Sequence, residues 1–258
     1  VARTDHLHTA GQGPRVLLVQ GTGVAGRAWA PQVDALRDAF ELAWYDAPGV
    51  GGRPGSPGTL ADMSAEAIAV LDTLGWPSAF VVGHSLGGVI ALQLAHDAPD
   101  RVDGLGLLCT FCRGRATLSL DPRTLWIQTR TALGPKAWRR RAFYELVTHP
   151  DRPPTEANIA ELEAVFGRPL YALPPGTPAQ MRALLSADHT GRASQIRCPA
   201  LVVSGAHDRV APVAEGRRLA DLLGAPLEVL DGGHAVTIQQ ADVLNGHLRA
   251  HLEAWSTA

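Results

Sequence analysis

The sequence predicts an α/β fold, a mostly parallel, doubly wound sheet of about seven or eight strands, and three observations predict it. Short apolar runs end in Gly, Asp or Ser. Stretches with helical spacing alternate with them, bounded by Gly or Pro. One long interval breaks that rhythm and then lets it resume. Continuous apolar strands cannot face water, so helices must cover both faces of the sheet.

In chain order, the first strand candidate is 16–19, which runs into Gln20-Gly21-Thr22-Gly23. The second, 42–45, delivers Asp46. A helical pattern over 64–74 stops at Gly75 and leads to a strand at 79–82. That strand enters Gly83-His84-Ser85-Leu86-Gly87, and a helical pattern over 86–96 leaves it and ends before Pro99. A strand at 104–109 follows. After the interruption come a strand at 200–204, a helix at 214–223, a strand at 227–230 and a last helical pattern.

The interruption runs from Cys112 to near Pro199, too long for a structureless loop. It holds Trp126, Trp138, Phe143, Tyr144, Phe166, Tyr171 and Met181 and is broken by Pro153-Pro154 and Pro174-Pro175. Its predicted role is a helical lid, about 113–190, over the carboxyl edge of the sheet, where open α/β sheets place ligands. Trp126, Trp138 and Met181 are its candidate substrate contacts; alternatively the lid aromatics pack a small core of their own. The expected organisation is one domain, 1–258, with core segments 1–112 and 191–258.

Composition narrows the partners. With 46% apolar residues the 258-residue chain can bury a sizeable core. Its 23 basic and 25 acidic residues leave a net charge of −2, a field that favours neither nucleic acid nor an anionic membrane. The run Arg139 to Arg141 is predicted to be the wet side of a helix. No apolar run reaches membrane-spanning length, and Val1 to His8 lack a signal peptide's apolar centre, so the expected location is cytoplasmic. Cys109 and Cys112 have C-x-x-C spacing but no second pair, and Cys198 has no adjacent ligand; buried or neutral thiols are expected, with no metal and no cofactor. The partner left is a small-molecule substrate, and the oligomeric state stays open.

Gly83-His84-Ser85-Leu86-Gly87 fits G-x-S-x-G, and its setting between strand and helix gives the pattern meaning. A sharp turn there needs glycine on both sides, because side chains would strike the neighbouring backbone. A serine hydroxyl attacks poorly until a base takes its proton, so an imidazole is required and a carboxylate should fix its tautomer. Asp208 follows the strand at 200–204 and His234 follows the strand at 227–230, which puts both on the edge that carries Ser85. His84, His207 and Asp231 neighbour these residues, but consecutive side chains in such turns point apart. For the other histidines, His149 and His189 among them, surface or structural roles are expected.

Across nearly its whole length the chain resembles the α/β-hydrolase superfamily, in particular its lidded esterase, lactonase and carbon–carbon-bond hydrolase branch. The order Ser, Asp, His matches that fold. The resemblance implies a catalytic triad of Ser85, Asp208 and His234, and an oxyanion hole made by the backbone N–H groups of Thr22 and Leu86. Gln20 stands where relatives usually show His, so the anchoring of that loop is open. Asp46-Ala47-Pro48-Gly49-Val50-Gly51-Gly52 resembles a rim turn of lidded hydrolases. The implied activity is hydrolysis of a small, moderately apolar ester, lactone or related carbonyl compound through an acyl-enzyme. Ser85 at the elbow argues against epoxide hydrolysis and dehalogenation, which use Asp there.

Two rival readings stay on the table. A non-hydrolytic lyase or cyclase, or a carbon–carbon-bond hydrolase, would keep the fold and change the reaction. A dinucleotide-binding oxidoreductase would use Gly21-Thr22-Gly23-Val24-Ala25-Gly26 as G-x-G-x-x-G with Asp46 on the next strand, leaving Ser85, Asp208 and His234 unexplained.

Overall fold

The computed structural model describes residues 5–118 and 121–257, so the expectations for Val1 to Thr4, and for the lid at Ser119 and Leu120, lie outside the described residues. Seven strands form one sheet: β1 (Leu7–Ala10), β2 (Arg15–Val19), β3 (Glu41–Tyr45), β4 (Ala79–His84), β5 (Val102–Leu108), β6 (Ala200–Gly205) and β7 (Leu227–Leu230). Their order is β1-β3-β2-β4-β5-β6-β7, antiparallel only where β1 meets β3. The chain moves outward from β2 to β3, then returns to β4 on the other side. That reversal makes the gap beyond the carboxyl ends of β2 and β4 the topological switch point, where an open sheet leaves a crevice.

Helices α1 (Ala30–Leu36), α2 (Leu60–Leu74) and α3 (Leu86–Asp97) precede the insertion. Between β5 and β6 come α4 (Pro122–Ala132), α5 (Lys136–Val147), α6 (Glu156–Phe166) and α7 (Thr177–Ser186). The chain closes with α8 (Val213–Leu223), α9 (Val236–Gln239) and α10 (Ala241–Ser256). The central strands alternate between two cores. Leu17, Val81, Leu105 and Val202 pack beneath α2, α3 and α8, while Val16, Leu18, Val82 and Val203 pack against α1 and α10. Burial on both faces explains why these strands are apolar throughout.

The inserted helices have a third core, in which Ile127, Tyr144, Leu146, Ile159, Leu162 and Phe166 meet Ala28 and Ala235 of the sheet domain. Of the basic run, Arg140 does more than face water. Its guanidinium forks Glu163 through Nε and Nη2 at 2.7 and 2.9 Å and also reaches Glu156, tying α5 to α6. Among the described residues, no helix is long and apolar enough to cross a membrane.

Candidate active site

Ser85 sits between β4 and α3 with φ +55° and ψ −118°, outside the relaxed regions for an L residue. Cys109, at the end of neighbouring β5, has φ +45°. These are the two non-glycine residues with positive φ among the described ones, and both lie at the carboxyl edge beside the switch point. Crowding makes the flanking glycines necessary. A Cβ on Gly83 would lie 2.3 Å from the Gly87 carbonyl oxygen, and one on Gly87 would lie 2.0 Å from that of Val19. The elbow is therefore wedged against the end of β2, and Thr110 Oγ1 ties it to β5 by donating to the Ser85 carbonyl at 2.7 Å.

Asp208 and His234 meet as a hydrogen-bonded pair. The loop after β6 turns so that Val210 and Ala211 donate their amides to Asp208 Oδ1 at 2.7 and 2.8 Å, which fixes the carboxylate. His234 Nδ1–H donates to Asp208 Oδ2 at 2.8 Å. That leaves Nε2 of a neutral ring with its lone pair free to accept. His84 links this loop to the elbow: its Nε2–H donates to the His234 carbonyl at 2.9 Å, and the two ring centres are 4.9 Å apart. Ser85 Oγ itself makes no hydrogen bond to His234. Burial, assisted by the neighbouring His234, lowers the His84 pKa from 6.5 to about 4, so His84 is neutral at pH 7 and donates as a neutral ring. Ser85, Asp208 and His234 are only 5%, 7% and 8% exposed.

The amide groups beside Ser85 divide into two sets. Gly21 N–H is bonded to Gln20 Oε1 at 3.2 Å, Gly23 N–H to Gln180 Oε1 at 2.8 Å, and Ser85 N–H to the Leu108 carbonyl at 2.9 Å. Among the described residues, Thr22 N–H and Leu86 N–H have no hydrogen-bond acceptor. Gln20, the residue that departs from the usual pattern, anchors its own loop by accepting from the next amide. The Thr22 hydroxyl is buried and has no hydrogen-bond partner among the described residues.

Asp46, required by a dinucleotide site, is already engaged: its Oδ1 accepts from Gly26 N–H at 2.7 Å, and Arg53 donates to its carbonyl. A Cβ on Gly26 would lie 2.8 Å from Trp44 Cδ1, so this glycine serves packing. Trp126 and Trp138 are each 58% exposed and Met181 39%. Trp126 lines a cleft of about 310 Å³ with Arg123, Arg130, Arg152 and Arg209, and none of the three elbow-edge residues lines it.

Two clusters have metal-ligating atoms close together among the described residues. His84, Cys109 and His234 form one, but each imidazole already gives one nitrogen to a protein hydrogen bond, and burial with the Asp208 charge drives the Cys109 thiol well above its usual range, away from the thiolate a metal needs. His149, His207 and Asp231 form the other. Both Nε2 atoms lie 3.2 Å from Asp231 Oδ1, and Asp151 N–H donates to His149 Nδ1, which places the His149 proton on Nε2. That cluster pins the loop after α5 to the loops bearing Asp208 and His234. Sequence reasoning gave His149, His207 and Asp231 no joint role, since three separate loops supply them.

Residues 14–241 match the family model described as alpha/beta hydrolase fold. A protein from Klebsiella pneumoniae named "Putative carbamate hydrolase RutD" is 33% identical over 93% of this chain and 92% of its own length. One of the same name from a Caulobacter species is 34% identical over 89% and 87%. The crystal structure of the enol-lactonase from Burkholderia xenovorans is 27% identical, covers 96% of each chain and superposes with a TM-score of 0.82.

Proposed function

The chain belongs to the α/β-hydrolase fold family, and from that premise we propose that it is a serine hydrolase with Ser85 as nucleophile, His234 as base and Asp208 as the group that orients the base. The observation that carries this reading is the pair of amides, Thr22 and Leu86, left without an acceptor beside a strained serine. Thr22 is half-buried and Leu86 buried, a Cβ on the adjacent Gly21 would lie 3.1 Å from Ser85 Cβ, and amides left open this close to the serine suit a ligand atom that carries negative charge.

In this reading His234 Nε2 takes the Ser85 proton as Oγ attacks a carbonyl carbon. Asp208 stabilises the imidazolium. The carbonyl oxygen, now an oxyanion, moves between Thr22 N–H and Leu86 N–H. His234 returns the proton to the leaving group, and water repeats the sequence to release the acid. The helices of 113–190 act as a lid on a single domain, and the low exposure of the three residues favours a short acyl group. An ester or lactone fits, as does a carbamate, the class in the names of the relatives above.

Treatment with a fluorophosphonate followed by peptide mapping tests the nucleophile, and a panel of p-nitrophenyl esters of rising acyl length, lactones and an aryl carbamate tests the pocket. Modification of Ser85 with turnover of short substrates is expected. Absence of both label and turnover would replace hydrolysis with the lyase or cyclase reading.

A further inference from the structure

We infer that the inserted helices build half of the oxyanion hole, with Gln180 and Arg168 as positioning residues that hold the Thr22 amide in place through Gly23. The inference rests on the hydrolase reading for its catalytic meaning and on hydrogen bonds for its geometry.

Thr22 lies between two anchors of different origin. On its amino side the sheet domain holds the loop itself: Gln20 Oε1 accepts from Gly21 N–H, and Val24 N–H donates to the Gly21 carbonyl at 3.3 Å. On its carboxyl side the insertion holds it. Gly23 N–H donates to Gln180 Oε1 of α7 at 2.8 Å, and the Gly23 carbonyl accepts from Arg168 Nε and Nη2 at 3.3 and 3.1 Å. Both polar groups of Gly23 are thus bound by residues that lie 157 and 145 positions away in the chain.

The clamp is stiff. Gln180 is 3% exposed, and its own N–H donates to the Gly176 carbonyl at 3.1 Å, which anchors the residue at the start of α7. The Arg168 guanidinium lies over the rings of Phe143 and Phe166, 5.9 and 5.6 Å from their centres, and also donates to the Pro169 and Ala172 carbonyls. Gly23 has φ +65°, and a Cβ on it would lie 2.7 Å from Thr177 Oγ1, so the loop is pressed against the first turn of α7.

Withdrawal of α7 would release Gly23 on one side and free the Thr22–Gly23 peptide to rotate, leaving the Gly21–Thr22 peptide, which carries the Thr22 N–H, held through its carbonyl by the 3.3 Å bond from Val24 alone. The donor would then be firmly aimed only while the insertion is seated. An interaction of this kind acts on the transition state, where the oxyanion exists, more than on the bound substrate. Seating of the lid over a correct substrate would therefore complete the catalytic machinery as well as exclude water.

The test compares Gln180→Leu, which keeps the volume and removes the acceptor, with Gln180→Glu, which keeps an oxygen for Gly23 N–H. Arg168→Met supplies a second variant that retains the packed stem. Loss of one whole donor costs about 10²–10³ in rate, and misaiming should cost part of that, about tenfold to a hundredfold in kcat with KM within about threefold. Affinity for a trifluoromethyl ketone should fall by the same factor as kcat/KM, and Gln180→Glu should recover most of the loss. Hydrogen exchange at residues 22–24 reads the clamp without catalysis, and it should quicken in Gln180→Leu and Arg168→Met while exchange at Val210 and Ala211 stays as in the wild type. Unchanged exchange at 22–24 in both, a defect confined to KM, or an equal defect in Gln180→Glu would overturn the inference. A wild-type protein without turnover or Ser85 labelling, but with quickened exchange in the variants, would remove the hydrolase reading and leave the clamp standing.

Discussion

Replacing Asp208 by Asn should separate catalysis from stability, because the two carboxylate oxygens have different tasks. Oδ1 accepts the amides of half-buried Val210 and buried Ala211, and Oδ2 accepts the His234 Nδ1 proton. An asparagine whose oxygen stays on the amides keeps that turn intact and presents NH₂ to His234. The ring must then accept at Nδ1 and carry its proton on Nε2, the tautomer that cannot take a proton from Ser85. Loss of the correct tautomer in a serine triad costs about 10³–10⁴ in turnover, or about 4–5.5 kcal/mol of barrier. Asp208→Ala should lose similar activity and also orphan both amides, at about 1–3 kcal/mol each. At about 2–4 °C per kcal/mol for a chain of this size, its Tm should fall by roughly 5–20 °C while that of Asp208→Asn changes little. Short-chain ester hydrolysis and differential scanning calorimetry measure the two quantities. An asparagine variant that keeps more than a tenth of wild-type kcat would refute the assignment of Asp208, and equal Tm losses in the two variants would refute the division of labour between its oxygens.

Gly87→Ala should abolish soluble expression or lower Tm severely, since the new Cβ would lie 2.0 Å from backbone, whereas Gly246→Ala in α10, with nothing within 4 Å, should stabilise by up to about 1 kcal/mol in urea melts. Acid should destabilise the fold below pH 6.5. Burial, the main cause, lowers His84 and His189 from 6.5 to about 4, so the unfolded chain binds more protons between those values and stability falls as pH drops through that window. The loss is on the order of 3 kcal/mol per histidine by pH 4, and urea midpoints of His189→Asn should show a shallower pH slope than the wild type; equal slopes would remove His189 from the account. Ser85→Gly should be more stable than Ser85→Ala by about 1 kcal/mol, because glycine relieves the positive φ; equal stability would show that the elbow stores no strain.

What the sequence showed and what it hid differ in range. The central parallel strands were legible because they are buried on both faces and must be apolar almost throughout, while β7, an edge strand with the sequence LEVL and an exposed Val229, was legible as a short run stopped by Asp231. β1 was not: Leu7–Ala10 is an antiparallel edge with the sequence LHTA and two exposed residues in the middle, so it carries neither an apolar run nor a clean alternation. Asp208 and His234 could be picked out because each stands just beyond a recognisable strand. His84 could be named as a neighbour but its bond to the His234 carbonyl could not, since that contact joins residues 150 apart. Gln180 and Arg168 left no local trace at all. A glutamine inside a helix and an arginine just past one look like surface residues until the loop they hold is brought against them.

The loop after β2 shows how a local pattern can fit two chemistries and why distant residues decide between them. A strand running into glycines offers backbone amides that point at one spot, and such amides suit a pyrophosphate as well as an oxyanion. Gly21-Thr22-Gly23-Val24-Ala25-Gly26 satisfies both templates, and so does its position at the switch point. The difference lies in which amides remain open. Asp46 closes Gly26, Gln20 closes Gly21 and Gln180 closes Gly23, so the cradle a diphosphate would need is filled by side chains, and Thr22 alone of these four still offers its proton. One open donor among these four suits the proposed oxyanion reading, in which Leu86 supplies the second. Substituting Gln180 or Asp46 should therefore never create nucleotide binding; loss of Gln180 should only loosen Gly23 beside Thr22, and loss of Asp46 should only release Gly26.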